Sequence, residues 1–543
     1  MTSKRVIQNI VGQTSNYDLA KISLSYTQNM YEETVNATES STTKILRSIS
    51  GISENFLRHQ YHEIDGEPIV RGLYYTSEVQ WSGKEELYIV IGNNLYLYNN
   101  KNLFYICSVA PGKNTIHFVE TLSNGVFGKY MCFVDGTHCF AINIDEHPTL
   151  QGKHVKVIAL PQKLNSDKTI SPTHIAYLYG YIVVNDAGSD YFYTSYQYPF
   201  NRLKSGSTSE IDSDIFETTS DEYGVKGHYT MAEWQPDNIT ALCTNSSRLF
   251  VFGKKSYQVF QYTNDVNNPF SSPDTAAKKI GLMTPESVSQ LGEYTCWLGS
   301  ADVGNLGIFL NMNGSIESTR ISNYAIEEQL AKSKNIADAT STMFQERGHL
   351  FYLLSVPDLH TTFCYDITEQ SWTNRVSYDD ANQPQQWRYR TVVADSFGNL
   401  ITACVDSKNI GQDAHYVYLG NLTVDSNLDF PGKPIIRIRR GGIISNNNRR
   451  FYIDAISLHL SDGQSKWPEL DKANGHIGLS CSVDGATWSD KEIVEIGGQG
   501  EYDYDCIWYN FGIGKYFAIE ISCSDNMPFA IYNMNIDYSE CAW

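Results

Sequence analysis

Residues 87–98 read LYIVIGNNLYLY: a run of aromatic and β-branched residues, a Gly-Asn-Asn turn and a second, alternating run. This order is typical of a β-hairpin. Comparable units recur along the chain, around residues 131–140, 178–184, 249–253, 296–310, 350–354 and 397–400. Aromatic residues make up 13% of the sequence and charged residues only 19%, which favours pleated sheet over a helical bundle. The sequence therefore predicts an all-β fold.

The hairpin units start about 40 to 55 residues apart, with one longer gap near residues 204–234. A period of this size is typical of the four-stranded blades of a β-propeller. We expect about six blades, and a count of seven stays open. The gap contains a Ser-, Thr- and Asp-rich stretch, residues 204–222, whose few apolar residues cannot offset the entropy of ordering it. This stretch predicts an inserted loop.

The period breaks after Pro431 and Pro434, and strand-like segments then follow one another closely. They lie at residues 435–439, 451–460, 477–482, 491–496, 516–522 and 529–537. Short strands at this density predict a C-terminal β-sandwich. We therefore divide the chain into an N-terminal arm and propeller-closing segment (residues 1–72), a propeller (73–430) and a sandwich (431–543).

One short helix is expected within the β-rich chain. Residues 323–331 carry Ile326 and Leu330 four positions apart, and Ser322 stands where an N-cap is needed. We interpret this helix as a local addition to the β fold.

Composition limits the classes of function. The 543 residues, 61.3 kDa, carry 41 Lys and Arg against 61 Asp and Glu, a net charge of −20 that repels a phosphate backbone and disfavours a nucleic-acid-wrapping protein. Neither a secretory signal pattern nor an apolar run near 18 residues occurs, so we expect neither standard export nor a membrane span. Eleven singly spaced cysteines predict reduced thiols, formed in a reducing cytoplasm.

Motifs for catalysis are weak. Ser482 to Trp488 (SVDGATW) resembles the Asp-box turn of sialidase-type propellers, and Tyr365-Asp366 with Trp372 resembles positions in kelch blades; both predict architecture only. The sequence contains no Gly-x-Ser-x-Gly elbow, phosphate loop or His-Glu-x-x-His motif. We expect no enzymatic activity and no cofactor.

A metal site at Cys132, His138 and Cys139 is also disfavoured. Asp135-Gly136 between them predicts a hairpin, and the neighbours 138 and 139 would point to opposite faces of a strand. We expect no bound metal.

One basic concentration stands out in this acidic chain. It comprises Arg437, Arg439, Arg440, Arg449 and Arg450. These residues are our candidates for docking an acidic partner surface or DNA; the alternative is an alternating strand whose arginines face water. Strand alternation places Arg437 and Arg439 on one face and Ile438 on the other.

Several short motifs occur in a shared order: QNMY at residues 28–31, SGI at 50–52, RISNYAIE at 320–327, and the stretches 365–375 and 482–488. In this order the chain resembles the tail proteins of short-tailed bacteriophages, the packaged-DNA stabilisation or tail hub and nozzle group. The resemblance covers nearly the whole chain.

The resemblance implies a structural virion protein, assembled in the cytoplasm of the bacterial host. Proteins of this group form a hexameric ring below the portal and adaptor, continue or close the DNA channel, retain the packaged genome and seat fibres or a needle. An acidic channel wall suits this role, because it lets DNA slide without being held.

A carbohydrate-active propeller, either a sialidase-like hydrolase or a lectin, is the alternative. The aromatic content and the Asp-box-like turn favour it, and a hydrolase would require a pocket with converging carboxylates or an Arg triad.

Overall fold

The chain folds almost entirely into strands. The computed structural model describes residues 4–8, 10–16, 24–38, 41–53, 57–61, 65–76, 86–99, 101–122, 128–145, 155–163, 166–204, 207, 211–218, 226–235, 237–301, 306–406, 415–441, 443–460, 475–497 and 506–541. None of the helices in these ranges is long and apolar enough to cross a membrane.

Within the described residues, seven antiparallel sheets of about four strands each form the blades of a propeller. The expected count of six was therefore one short, and the open alternative of seven is the observed one. Blades 1 to 3 are built from Val70–Tyr75, Leu87–Ile91, Asn94–Asn99 and Asn102–Ser108; His117–Glu120, Tyr130–Val134, Cys139–Asn143 and Val155–Ile158; and Ile175–Leu178, Tyr181–Asn185, Tyr191–Thr194 and His228–Met231.

The remaining blades follow in chain order. They comprise Ile239–Asn245, Arg248–Gly253, Tyr257–Tyr262, Phe270–Ser271 and Ala277–Lys278 (blade 4); Ile280–Leu282, Ser289–Leu291, Tyr294–Ala301, Leu306–Met312 and Thr319–Arg320 (blade 5); Thr340–Glu346, His349–Val356, Thr361–Asp366, Ser371–Tyr378 and Pro384–Gln386 (blade 6); and Val392–Ala394, Leu400–Asp406 and His415–Thr423 (blade 7). The first strand of each blade lies innermost, except in blade 5, where Ser289–Leu291 does, because these strands contact their counterparts in neighbouring blades.

The N-terminal segment completes blade 7. Gly51–Ile52 and Leu57–Tyr61 both pair antiparallel with His415–Thr423. Blade 7 packs in turn on blade 1, where Leu73 and Leu419 belong to one hydrophobic cluster. Among the described residues, blade 7 therefore takes three strands from its own stretch of sequence and its closing strands from the N-terminal segment.

The Ser- and Thr-rich stretch at residues 204–222 falls between the third and fourth strands of blade 3. Its described part includes Ile215 and Phe216, which are fully buried in the core shared by blades 2 and 3. Burial of these two side chains anchors the described part of this insertion. Residues 205, 206, 208–210 and 219–222 lie outside the described residues.

Two sheets form the sandwich, and both ends of the chain contribute to them. One sheet contains Lys4–Gln8, Met30–Thr38, Ser41–Ser48, Phe451–Leu460, Cys506–Tyr509, Ile513–Gly514 and Ala530–Glu540; the other contains Ser15–Asn16, Leu24–Gln28, Arg437–Arg440, Ile444–Ser445, Gly475–Ser482, Glu492–Ile496 and Tyr516–Cys523. The short antiparallel pair Leu428–Phe430 and Lys433–Pro434 comes before Arg437–Arg440 in the chain. Ile10, Met30 and Leu46 share one core with Ile453 and Ile519.

The strands predicted after residue 434 are present, and Cys506–Tyr509 is an addition to them. The division of the chain at residues 72 and 430 stays a prediction, although the strand pairing joins residues 4–48 to the sandwich.

The helix spans Tyr324–Ala331, with Ile326 and Leu330 buried. Its N-cap is Asn323, whose Oδ1 accepts from the Ile326 amide at 3.0 Å, so the expected cap at Ser322 was one residue early. The Ser322 hydroxyl accepts instead from the Ile308 amide and donates to Glu327. The remaining helical turns are the 3₁₀ segments Asp274–Ala276, Pro285–Ser287, Ile336–Asp338 and Pro357–Leu359.

Candidate docking surface

One continuous hydrogen-bonded sheet joins the propeller to the sandwich. The outer strand of blade 6 meets Leu24–Gln28 in parallel at Gln28 and Asn374. The other edge of Leu24–Gln28 pairs antiparallel with Arg437–Arg440 of the sandwich. Backbone hydrogen bonds therefore fix the orientation of the sandwich relative to blade 6.

Asn29 stabilises this junction between blade 6 and the sandwich. Its backbone adopts the left-handed conformation, with φ 55°, and its side chain is almost wholly buried. The Asn29 amide group donates to the carbonyls of Val376 at 2.9 Å and Ile436 at 2.8 Å, while its Oδ1 accepts from the Val376 amide at 3.0 Å. Asparagine tolerates this backbone region better than most non-glycine residues. The same residue can therefore adopt the turn conformation and donate and accept the hydrogen bonds that join blade 6 to the sandwich.

The docking role predicted for Arg437 and Arg439 is wrong. The structure places both on one face of the strand, as alternation requires, but that face is the buried one: Arg437 is 0% exposed and Arg439 3%. Arg437 donates to Ser48 Oγ, to Asn427 Oδ1 and to the carbonyls of Asp525 and Met527, at 2.7 to 3.0 Å. Burial lowers the pKa of Arg437, yet the guanidinium ties three chain segments together.

Arg439 makes similar buried hydrogen bonds, and its partners lie in the N-terminal segment. It donates to the Ile10 carbonyl at 2.5 Å and to the hydroxyls of Ser25 and Thr27 at 2.9 Å. Burial lowers its pKa to about 10. Residues distant in sequence, such as Ser48 at Arg437 and Ile10 at Arg439, cover this face and make two candidate surface arginines internal.

Arg440 is half-buried on the other face. It forms a double hydrogen bond to Glu520 Oε2, at 2.6 and 3.0 Å, and its guanidinium lies over the Trp488 ring at 4.8 Å. Its charge is therefore paired within the chain, and we no longer count it as a free docking residue.

The Asp-box-like motif forms the turn that carries Trp488. Asp484 Oδ1 accepts from the amides of Ala486 and Thr487, and these bonds hold the pKa of its carboxyl well below the usual range. Gly485 adopts φ 77°. The motif lies in the sandwich and acts as a structural turn, as the sequence indicated.

Arg449 and Arg450 are exposed at the tip of a hairpin. Asn447 and Asn448 both have positive φ, 46° and 62°, and the Arg449 amide donates to the Asn446 carbonyl at 2.8 Å. Two central residues of positive φ define a type I′ turn, which is rigid and suits asparagine. The two arginines are thus held in place by the backbone.

Further basic residues from distant segments surround this hairpin. Lys4 forms an ion pair with Glu540 at 2.7 Å; Lys4 and, more weakly, Arg449 lower the pKa of the Glu540 carboxyl. Exposed Lys515 follows Gly514, which pairs with Phe451, so Lys515 stands opposite Arg450 in the register. We call Lys4, Arg449, Arg450 and Lys515 the basic end of the sandwich.

Apolar side chains adjoin the basic end. Ile513 is 59% exposed and pairs with Tyr452, and Tyr516 is 41% exposed with its hydroxyl donating to Asn448 Oδ1 at 2.6 Å. Exposed cations around exposed apolar side chains are typical of a protein interface. Sequence reasoning missed Lys4, Lys515, Ile513 and Tyr516 because three separate segments bring them together.

The mouth of the propeller is occupied by an ion pair between non-adjacent blades. Glu286, ahead of an inner strand of blade 5, accepts from the Thr115 amide at 2.9 Å and from Arg390 at 3.3 Å. Arg390 also donates to the Thr115 hydroxyl at 3.2 Å. Glu286 lines two cavities, of about 370 and 340 Å³, and Arg390 lines the larger one. Glu286 thus serves as the partner of Arg390, which differs from the converging carboxylates of a glycoside hydrolase.

The remaining motifs have structural roles. Cys132 and Cys139 are buried, and Asp135 Oδ1 accepts from the amides of Thr137 and His138 in the predicted hairpin. In the part of the chain that the structure describes, no group of three or more His, Cys, Asp or Glu is placed to hold a metal ion. The kelch-like Tyr365 and Trp372 pack ring against ring at 4.8 Å in blade 6.

A propeller and a sandwich joined through one sheet, with an exposed basic end, define a structural protein that acts through its surfaces. Two family matches agree with this class: residues 12–413 match the family described as "Bacteriophage P22 Gp10, beta-propeller" and residues 437–539 the one described as "Bacteriophage P22 Gp10, beta-sandwich". The chain belongs to the bacteriophage P22 Gp10 family. It is a structural protein of a short-tailed phage tail, a component of the virion that assembles with other virion proteins.

The sequence matches no curated protein. Similar solved structures include BBS1N in complex with ARL6DN (TM-score 0.35, 8% identity, 69% of this chain and 98% of that chain) and the Myceliophteria thermophila Cps50 (Swd1) beta-propeller domain (0.33, 6%, 66% and 98%). YCF48 bound to D1 peptide is a third (0.35, 10%, 69% and 99%). The fold assignment rests on the strand pairing and on the family matches.

Proposed function

We propose that the chain forms a hexameric ring, the hub or nozzle of a short tail, below the portal and adaptor. The ring continues or closes the DNA channel, retains the packaged genome and seats fibres or a needle. The observation that carries this proposal is the continuous sheet through blade 6 and the sandwich, because a ring under the pressure of packaged DNA needs subunits that do not hinge. Family membership supports it.

The negative charge of the chain suits the wall of a channel through which DNA passes. Each copy carries −20, so a wall formed by several copies repels duplex phosphates and lets DNA pass without specific binding. We propose no catalytic role, no cofactor and assembly in the host cytoplasm.

The basic end of the sandwich is the proposed docking site, and Arg449 and Arg450 are the two sequence candidates that remain. In an acidic chain, these cations complement the acidic surface of a neighbouring copy or of the adaptor. The rigid turn fixes the backbone that carries both arginines, so binding orders no loop there.

Complementation of particles tests the proposal. DNA-filled heads made without the chain are expected to lose their genome, and the purified chain should restore DNase-resistant DNA. Heads that keep their genome without the chain would reject the retention role.

The double variant Arg449→Glu and Arg450→Glu tests docking. We expect normal folding, because both side chains are exposed, but at least about a tenfold loss of chain bound to heads, since like charges then face one another. The matched control is Lys254→Glu with Lys255→Glu, an adjacent exposed pair on blade 4, which should bind as the wild type. Equal binding of both variants at physiological salt would remove the docking role from the basic end.

A further inference from the structure

A small cavity lies where the propeller meets the sandwich. Its volume is about 140 Å³. Ser50, Arg347 and Asn427 line it from the propeller and its closing segment, and Arg47 and Tyr532 line it from the sandwich. Pockets for drug-sized molecules measure about 300–1,000 Å³, so this one, which we call the seam cavity, suits a group of a few atoms.

Two buried side chains bring unused hydrogen-bond donors to the seam cavity. Ser50 is 6% exposed and Asn427 5%. Asn427 Oδ1 accepts from Arg437 Nη2 at 2.7 Å, which fixes the orientation of the amide and leaves its amino group. In the part of the chain that the structure describes, neither this amino group nor the Ser50 hydroxyl has a hydrogen-bond partner. Because a buried donor without an acceptor costs free energy, both donors indicate an acceptor that enters the cavity.

Two arginines add positive charge to the lining. Arg347 is exposed at a turn in which it and Gly348 have positive φ, 52° and 85°, so the backbone holds it in place. No ion pair of Arg347 occurs among the described residues, and its electrostatic neighbour is the neutral Tyr31 hydroxyl. Arg47 is half-buried and contacts Glu33 through its Nε atom. The polar side chains that an occupant would meet are therefore two guanidinium groups and neutral groups.

The carboxylates of the surrounding segments do not line the cavity. They belong to Glu33, Glu346, Asp425 and Asp525. Glu33 is paired with Arg47, Glu346 lies 3.9 Å from Arg375 inside blade 6, and Asp525 accepts from a backbone amide at 2.6 Å. A cation in the cavity would thus meet only guanidinium charges, whereas an anion would be matched by them.

We propose that the seam cavity binds one free phosphate ion. Arg47 donates to its oxygens from the sandwich and Arg347 from the propeller, and the ion supplies the acceptors that Ser50 and Asn427 lack. Water would satisfy the two neutral donors, but only an anion also offsets the charge of both guanidinium groups. Because the two walls belong to different domains, the bound ion stabilises their junction.

Equilibrium dialysis of the free, full chain against radiolabelled inorganic phosphate tests the inference, with sodium chloride keeping the ionic strength constant. We expect saturable binding of about one phosphate per chain. Absence of saturable binding would overturn the inference and leave the proposed tail role standing, because that role does not require the ion.

The variants Arg347→Asn and Ser50→Ala locate the ion. Each should weaken phosphate binding at least about tenfold, through loss of a charged or a neutral donor. Asparagine accepts the positive φ of position 347, so the melting temperature of that variant without phosphate should stay within about 4 °C of the wild type. The matched control, Arg449→Glu with Arg450→Glu, should bind phosphate as the wild type does. Loss of binding in this control, or wild-type binding by Arg347→Asn, would place the ion elsewhere and overturn the inference.

Competition against labelled phosphate identifies the oxyanion. Acetate and a short DNA duplex, each at the same concentration of anionic groups as the phosphate, should displace little of the label. Acetate has two oxygens to offer to donors on both walls, and a duplex is too large for a cavity of about 140 Å³. Displacement by acetate would assign the cavity to a carboxylate, and displacement by the duplex would assign it to DNA; either result would overturn the proposal of free phosphate.

Discussion

Replacing Arg437 with methionine is expected to lower the free energy of unfolding of the sandwich by about 3–5 kcal/mol. Methionine fills a similar volume but donates no hydrogen bond. It would leave the carbonyls of Asp525 and Met527 and the Asn427 side-chain oxygen buried without their donor. Hydrogen exchange of peptides from Tyr516–Cys523, followed in increasing urea, measures the change, because this strand lies in the sandwich core.

Arg449→Met is the matched control, since it removes an arginine that is exposed in the same domain. Its unfolding should shift by no more than about 0.5 kcal/mol. The double reversal Arg437→Glu with Arg439→Glu should prevent folding altogether, because buried carboxylates would face carbonyl oxygens. If Arg437→Met unfolds like Arg449→Met, the internal role assigned to Arg437 is incorrect.

Asn29→Ala is expected to separate the unfolding of the propeller from that of the sandwich. The substitution removes three hydrogen bonds that join Asn29 to blade 6 and to Ile436, and places alanine at φ 55°. Together these losses amount to about 3–5 kcal/mol. Calorimetry should show one cooperative transition in the wild type and two in the variant.

Asn29→Gly separates the effect of the lost side-chain hydrogen bonds from the effect of placing alanine at a positive φ. Glycine accepts the positive φ but makes no side-chain hydrogen bond, so it should split the transition almost as much as alanine does. A single transition for Asn29→Ala, at the wild-type temperature, would show that the junction does not depend on this residue.

The sequence predicted those features that depend on neighbouring residues. Alternation placed Arg437 and Arg439 on one face, and the motif at residues 482–488 gave the correct turn. Which face is buried depends on residues far away in the chain, such as Ser48 for Arg437 and Ile10 for Arg439. No local pattern contains that information.

Neither the strands that pair with blade 7 nor the full basic end can be located from neighbouring residues alone. Blade 7 takes its closing strands from residues 51–61, and the basic end combines Lys4, Lys515 and the hairpin of Arg449. In both cases tertiary pairing of distant segments decides the outcome. The docking role of Arg449 and Arg450 stays a prediction; the sequence shows two adjacent arginines directly after an Asn-rich turn signal.

The central claim is that the chain builds a ring in the tail. Native mass spectrometry of tail assemblies released intact from particles tests it most directly. We expect an assembly that contains about six copies of the 61.3 kDa chain, with fewer or none retained when Arg449 and Arg450 are replaced by glutamate. A tail that contains a single copy, or no copy, of the chain would contradict it.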